Sequence, residues 1–139
     1  MKKLLLSSSP FYQQEALAII RMIVGGLMIY HGQEVFQPNL MREYMTWEVF
    51  QDTNARLLVY AGKSSELIAG VSLFLGLFTR IGSLLLLGAM SYVTFVMGNG
   101  QFWYGDQHPF MFVLFGLLFF FFGAGMWSVD QRIFGKEGS

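Results

Sequence analysis

Cysteine is absent from the chain, and that absence removes disulfide exchange, thiolate nucleophiles and cysteine-held iron–sulfur clusters from the chemistry open to it. Charge is scarce as well: Asp, Glu, Lys and Arg supply 13% of the residues, against about 25% in soluble domains. None falls between Arg80 and Asp106 or between His108 and Asp130. A phosphate loop is missing, because Gly98-Asn99-Gly100 lacks the lysine and the strand-to-helix setting that such a loop needs. So are a nucleophile elbow and a zinc-protease helix. With zero net charge and no basic cluster, the chain carries no footprint for nucleic acid.

What is present is apolar surface: 54% of the residues are hydrophobic and 15 are Phe. A soluble core of this length cannot hide so much, and the chain reads as an integral membrane protein in contact with lipid. Pro109 to Val129 is a run of 21 uncharged residues, close to the roughly 20 that cross a hydrocarbon core of about 30 Å. Ile81 to Met97 is uncharged too and spans with slight tilt. Ala16 to Tyr30 carries Arg21 alone, and Leu57 to Phe78 carries Lys63 and Glu66; both read as spans whose charges point into the bundle, since charge facing lipid is costly. The expected fold is all-α, a four-transmembrane-helix antiparallel bundle forming one domain over 1–139, with spans near 11–31, 57–78, 81–98 and 109–129.

Lys2 and Lys3 before Leu4, Leu5 and Leu6 imitate a signal peptide, but the apolar block breaks at Ser7-Ser8-Ser9-Pro10, so the segment is expected to be retained. Ser9-Pro10 resembles an N-cap followed by proline in the first turn, which predicts the start of helix 1 there. Counting cations outside the spans sets Lys2, Lys3, Arg80, Arg132 and Lys136 against Arg42 and Arg56, which predicts both termini in the cytoplasm. In the connection between helices 1 and 2, Pro38-Asn39 predicts a short interfacial helix with Leu40, Tyr44 and Trp47 on one face. The connection between helices 3 and 4 carries Phe102, Trp103 and Tyr104 among glycines, a composition that also suits an aromatic belt.

The ionisable residues inside the spans are the first candidates for function. Arg21, Gly25, Met28 and Gly32 share one face of helix 1. At about 1.5 Å rise per residue, Arg21 on helix 1 and Glu66 on helix 2 fall within combined side-chain reach. An Arg21–Glu66 ion pair, direct or through water, is therefore predicted, since either charge alone in hydrocarbon is unfavourable. Two readings of that pair stay open: it fixes the registry of two helices, or it lines a polar cavity that handles protons or a polar head group. Lys63 lies one turn above Glu66, at contact spacing, and is expected to snorkel to the outer interface.

His31 closes helix 1 and His108 precedes helix 4, so both fall at the outer surface of neighbouring helices. A shared site there would have His31, His108 and Asp106 as members and Tyr104 and Trp103 as walls, for proton exchange or a quinone head; plain interfacial placement is the leading alternative. Two histidines and a carboxylate at unrelated spacing do not make a metal or haem set, and no metal is expected. Gly25, Gly26, Gly70, Gly76, Gly116, Gly123 and Gly125 supply small-residue contacts, within the chain or between copies in a homo-oligomer.

Arg21 through Gly25 to His31-Gly32 resembles the first-helix pattern of the DoxX family, in which an arginine precedes a His-Gly at the helix end. Glu66 to Gly70, followed by Leu75-Gly76-Leu77-Phe78-Thr79-Arg80, is similar to that family's second helix and cytoplasmic turn, and Gly123 to Asp130 resembles its Gly-rich, Ser-x-Asp close. A lysine often follows the His-Gly in the family; here Gln33-Glu34 stands in its place, and a role needing a cation at that mouth falls to Lys63. The resemblance implies a multi-pass protein of a bacterial or archaeal inner membrane, a subunit associated with a quinone-linked or oxidative-stress oxidoreductase system. A quinone head is then expected near His31, Asp106 and His108, with Arg21 and Glu66 on a proton path and the redox centre on a partner protein. Two other readings stay open: a non-catalytic anchor or assembly subunit, and a small-solute transporter binding through Arg21, Glu66 and Lys63. Whether the chain is itself catalytic stays open with them.

Overall fold

Backbone that enters hydrocarbon must satisfy its own hydrogen bonds, and an apolar run free of proline does so as helix. The computed structural model describes residues 5–51 and 53–135, and among them there is no strand. The order is α1 (Gln13–Gly32) with a 3-10 turn at Gln33–Phe36, α2 (Pro38–Met45), a 3-10 turn at Glu48–Phe50, α3 (Ala55–Leu75), α4 (Thr79–Tyr92) running into a π turn at Val93–Met97, α5 (Gln107–Phe122) and α6 (Val129–Phe134). The short helix expected from Pro38 is α2, with the proline in its first turn.

Three helical stretches, Gln13–Phe36, Ala55–Leu75 and Thr79–Met97, are long and apolar enough to cross a membrane. Only 28% of the apolar window of α3 is buried inside the chain, so most of that surface needs a hydrocarbon solvent. The fourth expected span differs. Its 21-residue run is helical only to Phe122, and α5 has 16 residues, about 24 Å of helix. The remainder is a non-helical strap, bent by positive φ at Gly123, Gly125 and Trp127. The start of α1 also differs: the helix begins at Gln13, because Tyr12 before it takes a left-handed conformation (φ 48) that breaks the chain away from Ser9-Pro10. The lysines at 2, 3 and 136 counted for orientation lie outside the described residues.

α1 packs along α3 with backbones in near contact: a Cβ added at Gly25 would run into Phe74, at Gly32 into Leu67 and at Gly70 into Ile29. α4 lies along α5, where Gly116 faces the Ser83 carbonyl. α3 ends at Gly76 (φ 66), with the Gly76 and Leu77 amides donating back to Leu73 and Ser72, a left-handed C-cap that turns the chain at once into α4. The exposed N–H groups of Phe78 and Thr79 donate to the Asp130 carboxylate at 2.7 and 2.8 Å. Thus the segment after α5 returns to cap α4 and closes this end of the molecule. Leu17, Met28, Leu73, Leu86 and Phe119 form the central core. At the other end Met41 and Phe50 pack on Val59 beneath α2.

Candidate functional site

Two polar centres lie among the apolar helices, about two turns of α3 apart. The first is Arg21, fully buried on α1. Its Nε donates to Ala124 O at 2.8 Å, Nη1 to Phe74 O at 3.0 Å and to Leu73 O, and Nη2 to Trp127 O at 3.0 Å and Met126 O at 3.3 Å. These acceptors come from the last turn of α3 and from the non-helical strap after α5. All five guanidinium N–H bonds are thereby used. The expected Arg21–Glu66 pair does not form, since both ion pairs among the described residues belong to Lys63. Glu66 sits seven residues, about 10 Å, from Leu73 along α3, and Arg21 points to the carbonyls instead. Arg21 ties α1 to the end of α3 and to the strap through backbone carbonyls rather than through a carboxylate.

The second centre is a charged cluster. Lys63 Nζ lies 2.9 Å from Glu66 Oε2, one turn away on α3, and 2.8 Å from Glu34 Oε2 in the turn after α1. Two carboxylates hold it, and its Nζ stands 5.3 Å from the centre of the Tyr44 ring, within cation–π range. Tyr44, on α2, donates its hydroxyl to Glu34 Oε2 at 2.8 Å. Burial and that hydrogen bond push the Tyr44 phenol up to about 12, so it is a firm donor at neutral pH. Lys63 on α3 thus meets Glu34 in the turn after the neighbouring α1.

Beside the cluster, the rings of His31 and His108 meet edge to face with centres 6.3 Å apart, and Phe112 continues the stack at 5.5 Å from His108. The two histidines are therefore neighbours, as expected. They line a cavity of about 410 Å³ together with Lys63, Glu66 and Tyr44, while Met28, Phe50, Met90 and Phe112 supply apolar walls. Asp106 and Tyr104 do not line it. The Asp106 carboxylate accepts from the Asn99 and Gln101 amides, both at 2.9 Å, pinning the turn that Gly98 and Gly100 make room for. Tyr104 is 79% exposed and Trp103 67%, facing away from the mouth. Sequence reasoning missed Glu34 and Tyr44 as site residues. A usable signal existed for the first, an acid just past the end of α1 with a lysine inside the next long helix. For Tyr44 there was only its place on the α2 face.

Among the described residues no three His, Asp or Glu side chains converge as a metal site. The arrangement is instead an apolar chamber with a hydrogen-bonding wall. Lys63 has three N–H bonds and commits two to carboxylates, leaving one for a ligand oxygen. The ring nitrogens of His31 and His108 add hydrogen-bonding positions to the same wall.

Long apolar helices enclosing such a cluster define a small multi-pass membrane protein. The DoxX family profile matches residues 16–99, from α1 into the turn beyond the π segment, and the chain belongs to the DoxX family. It is also similar to an uncharacterised protein of Haemophilus influenzae, 32% identical over 132 residues that cover 90% of this chain and 96% of that one. No solved structure matches it significantly.

Proposed function

We propose that this chain binds the head group of a membrane quinone in the cavity bounded by α1, α3, α4 and α5, and that it serves as a membrane subunit of an oxidoreductase system whose redox centre lies on a partner protein. The observation that carries this reading is the pairing of about 410 Å³ of apolar space with a wall formed by His31, His108, Lys63, Glu66 and Tyr44. A quinone head is a flat ring with polar oxygens at opposite edges. It fits a chamber of aromatic and methionine walls that offers a cluster of hydrogen-bonding side chains. When bound, such a ring carries electrons and protons together. The chain's own residues would orient it: Lys63 would donate to a quinone carbonyl oxygen, and a ring nitrogen of His31 or His108 would hydrogen-bond to the head group beside it.

The same reading takes α1, α3, α4 and α5 as four spans of a bacterial or archaeal cytoplasmic membrane, with both termini inside. It is supported by Arg80 at the start of α4 and Arg132 on α6, gathered where Asp130 meets the α3–α4 turn, while Arg42 and Arg56 belong to the cavity end. The cavity then lies toward the outer face.

The test is purification of the full chain in nanodiscs from native membrane, with mass spectrometry of extracted quinones and of accompanying proteins, beside His108→Ala and Glu66→Gln. Quinone retained by the native chain and lost from His108→Ala is expected. A stable protein partner with no quinone, indifferent to both substitutions, overturns the reading in favour of an assembly subunit.

A further inference from the structure

The cavity is walled along its sides by long helices and at one end by an element that is lightly held. Each long helix reaches it near a terminus, α1 at His31, α3 between Leu58 and Glu66, α4 at Met90 and α5 at His108. Across that end lies α2, which contributes Tyr44 to the wall, with Trp47 and Phe50 following it. A helix of eight residues does not hold its shape alone in water, so α2 depends on what it packs against. Met41 is its one buried residue, seated with Phe50 on Val59. No side chain caps its N-terminus. Among the described residues, every backbone hydrogen bond of 38–50 closes on a near neighbour in sequence, and one side-chain bond reaches farther, from the Tyr44 hydroxyl to Glu34 Oε2 at 2.8 Å. The backbone on either side is extended, at Gln37 (φ −109, ψ 92) and at Trp47 (φ −66, ψ 142), as suits hinge positions. Beyond the second of these Phe50, 3% exposed, fixes the chain again. The acceptor oxygen is shared: Glu34 Oε2 also takes Lys63 Nζ at 2.8 Å, so the contact that holds α2 down is part of the charged wall.

We propose that α2 is a lid over the cavity, hinged at Gln37 and Trp47 and latched by the Tyr44–Glu34 hydrogen bond, and that it lifts as a unit to open the cavity to water at this end of the bundle. The inference needs the cavity and not the identity of its ligand. Lifting α2 withdraws Met41 and the Tyr44 ring and breaks one hydrogen bond to the rest of the chain. The helical bonds of α1, α3, α4 and α5 are untouched. Such an opening belongs to the low-stability end of a fold, from which lids are drawn. The long helices offer no comparable route: α1 and α3 meet backbone to backbone at Gly25, Gly32 and Gly70, and parting them breaks the packing of the whole molecule.

The chain has no cysteine, so a single introduced thiol reports access. Met90→Cys puts it in the cavity wall, at a position 7% exposed, and Ser83→Cys puts it on the same helix, fully buried and outside the cavity. Each is made in the full chain in nanodiscs and timed against a charged, membrane-impermeant methanethiosulfonate, with the native lid, with Tyr44→Phe and with Met41→Ala. Tyr44→Phe removes the latch hydroxyl and keeps the ring that meets Trp47. It is expected to speed labelling of Met90→Cys about fivefold, the factor set by the net worth of one hydrogen bond. Met41→Ala, which removes the buried anchor, speeds it about tenfold or more. Ser83→Cys stays unlabelled with all three lids. Labelling of Met90→Cys that agrees within about twofold across the three overturns the lid. A parallel rise at Ser83→Cys overturns it too, because the bundle and not the lid has then loosened. Met28→Cys, in the cavity wall on α1, is read in the same way should Met90→Cys fail to fold. No quinone enters these measurements, so a failed lid leaves the head-group reading standing, and a chain without quinone leaves the lid standing.

Discussion

Lys63 Nζ lies 2.8 Å from Glu34 Oε2 and through that contact ties α3 to the turn that follows α1. One ammonium also holds Glu66, so two carboxylates depend on a single cation. Lys63→Met removes it and leaves Glu66, 6% exposed, without a partner. Breaking a buried pair in this way costs about 3 kcal/mol. The variant is expected to melt well below the native chain in the same detergent, and Lys63→Met with Glu66→Gln to recover most of the loss, because the amide carries no charge to strand. A double variant no more stable than the single one would mean that the two groups are not coupled.

Arg21→Lys tests the strap. A lysine keeps the charge but offers three donors from one point, where the guanidinium fork reaches five acceptors on two segments. At least two buried carbonyls lose their partner, at about 1–3 kcal/mol each. Lower thermal stability is expected, together with faster proteolysis between Gly123 and Trp127. Native-like protection of that segment would show that the glycine backbone holds itself in place.

How far these features were legible in the sequence follows from their physics. Membrane length and lack of charge mark helices directly, so α1, α3 and α4 could be read, and so could α2 from Pro38. The meeting of His31 and His108 followed from antiparallel connectivity. Arg21 was legible as a residue that must be satisfied, but the search for an opposite charge overlooked free carbonyls as acceptors. Three of those carbonyls, at Ala124, Met126 and Trp127, are open because the chain leaves the helix at Gly123, Gly125 and Trp127, and a positive φ at a tryptophan has no sequence signature. Asp106 was read as a mouth residue because a carboxylate beside a histidine suggests chemistry, whereas the nearby glycine turn had amides to offer it.

Tyr44 carries the pH dependence that can be stated. Its phenol rises from an ordinary 10.0 to about 12, so the folded chain holds the proton more tightly than the unfolded one. The stabilisation is complete below pH 10.0 and is lost as pH climbs through about 12. An ultraviolet titration should find one phenol ionising after those on the surface, absent from Tyr44→Phe and shifted down in Glu34→Gln. Tyr44→Phe should cost about 1 kcal/mol at neutral pH, the net worth of one hydrogen bond. An unchanged titration curve in Glu34→Gln would remove the Tyr44–Glu34 bond from the account.

Gly25 and Gly26 are neighbours in sequence with the same helix propensity, and the fold treats them differently. A Cβ at Gly25 would stand 2.8 Å from Phe74 Cα and 2.9 Å from the Gly70 carbonyl oxygen, whereas at Gly26 the nearest atom is the Phe74 side chain at 4.0 Å. The obstacle at Gly25 is backbone and cannot rotate away, so Gly25→Ala must separate α1 from α3. That separation also pulls Arg21 from the Leu73 and Phe74 carbonyls. The expected cost is about 3 kcal/mol, the upper end for an overpacked core. Gly26→Ala meets only ordinary van der Waals contact and should match or exceed the native chain, alanine being the better helix former. Thermal melts of the two variants in the same detergent decide it. Equal stability would mean that α1 and α3 do not approach as closely as the Gly25–Phe74 contact requires.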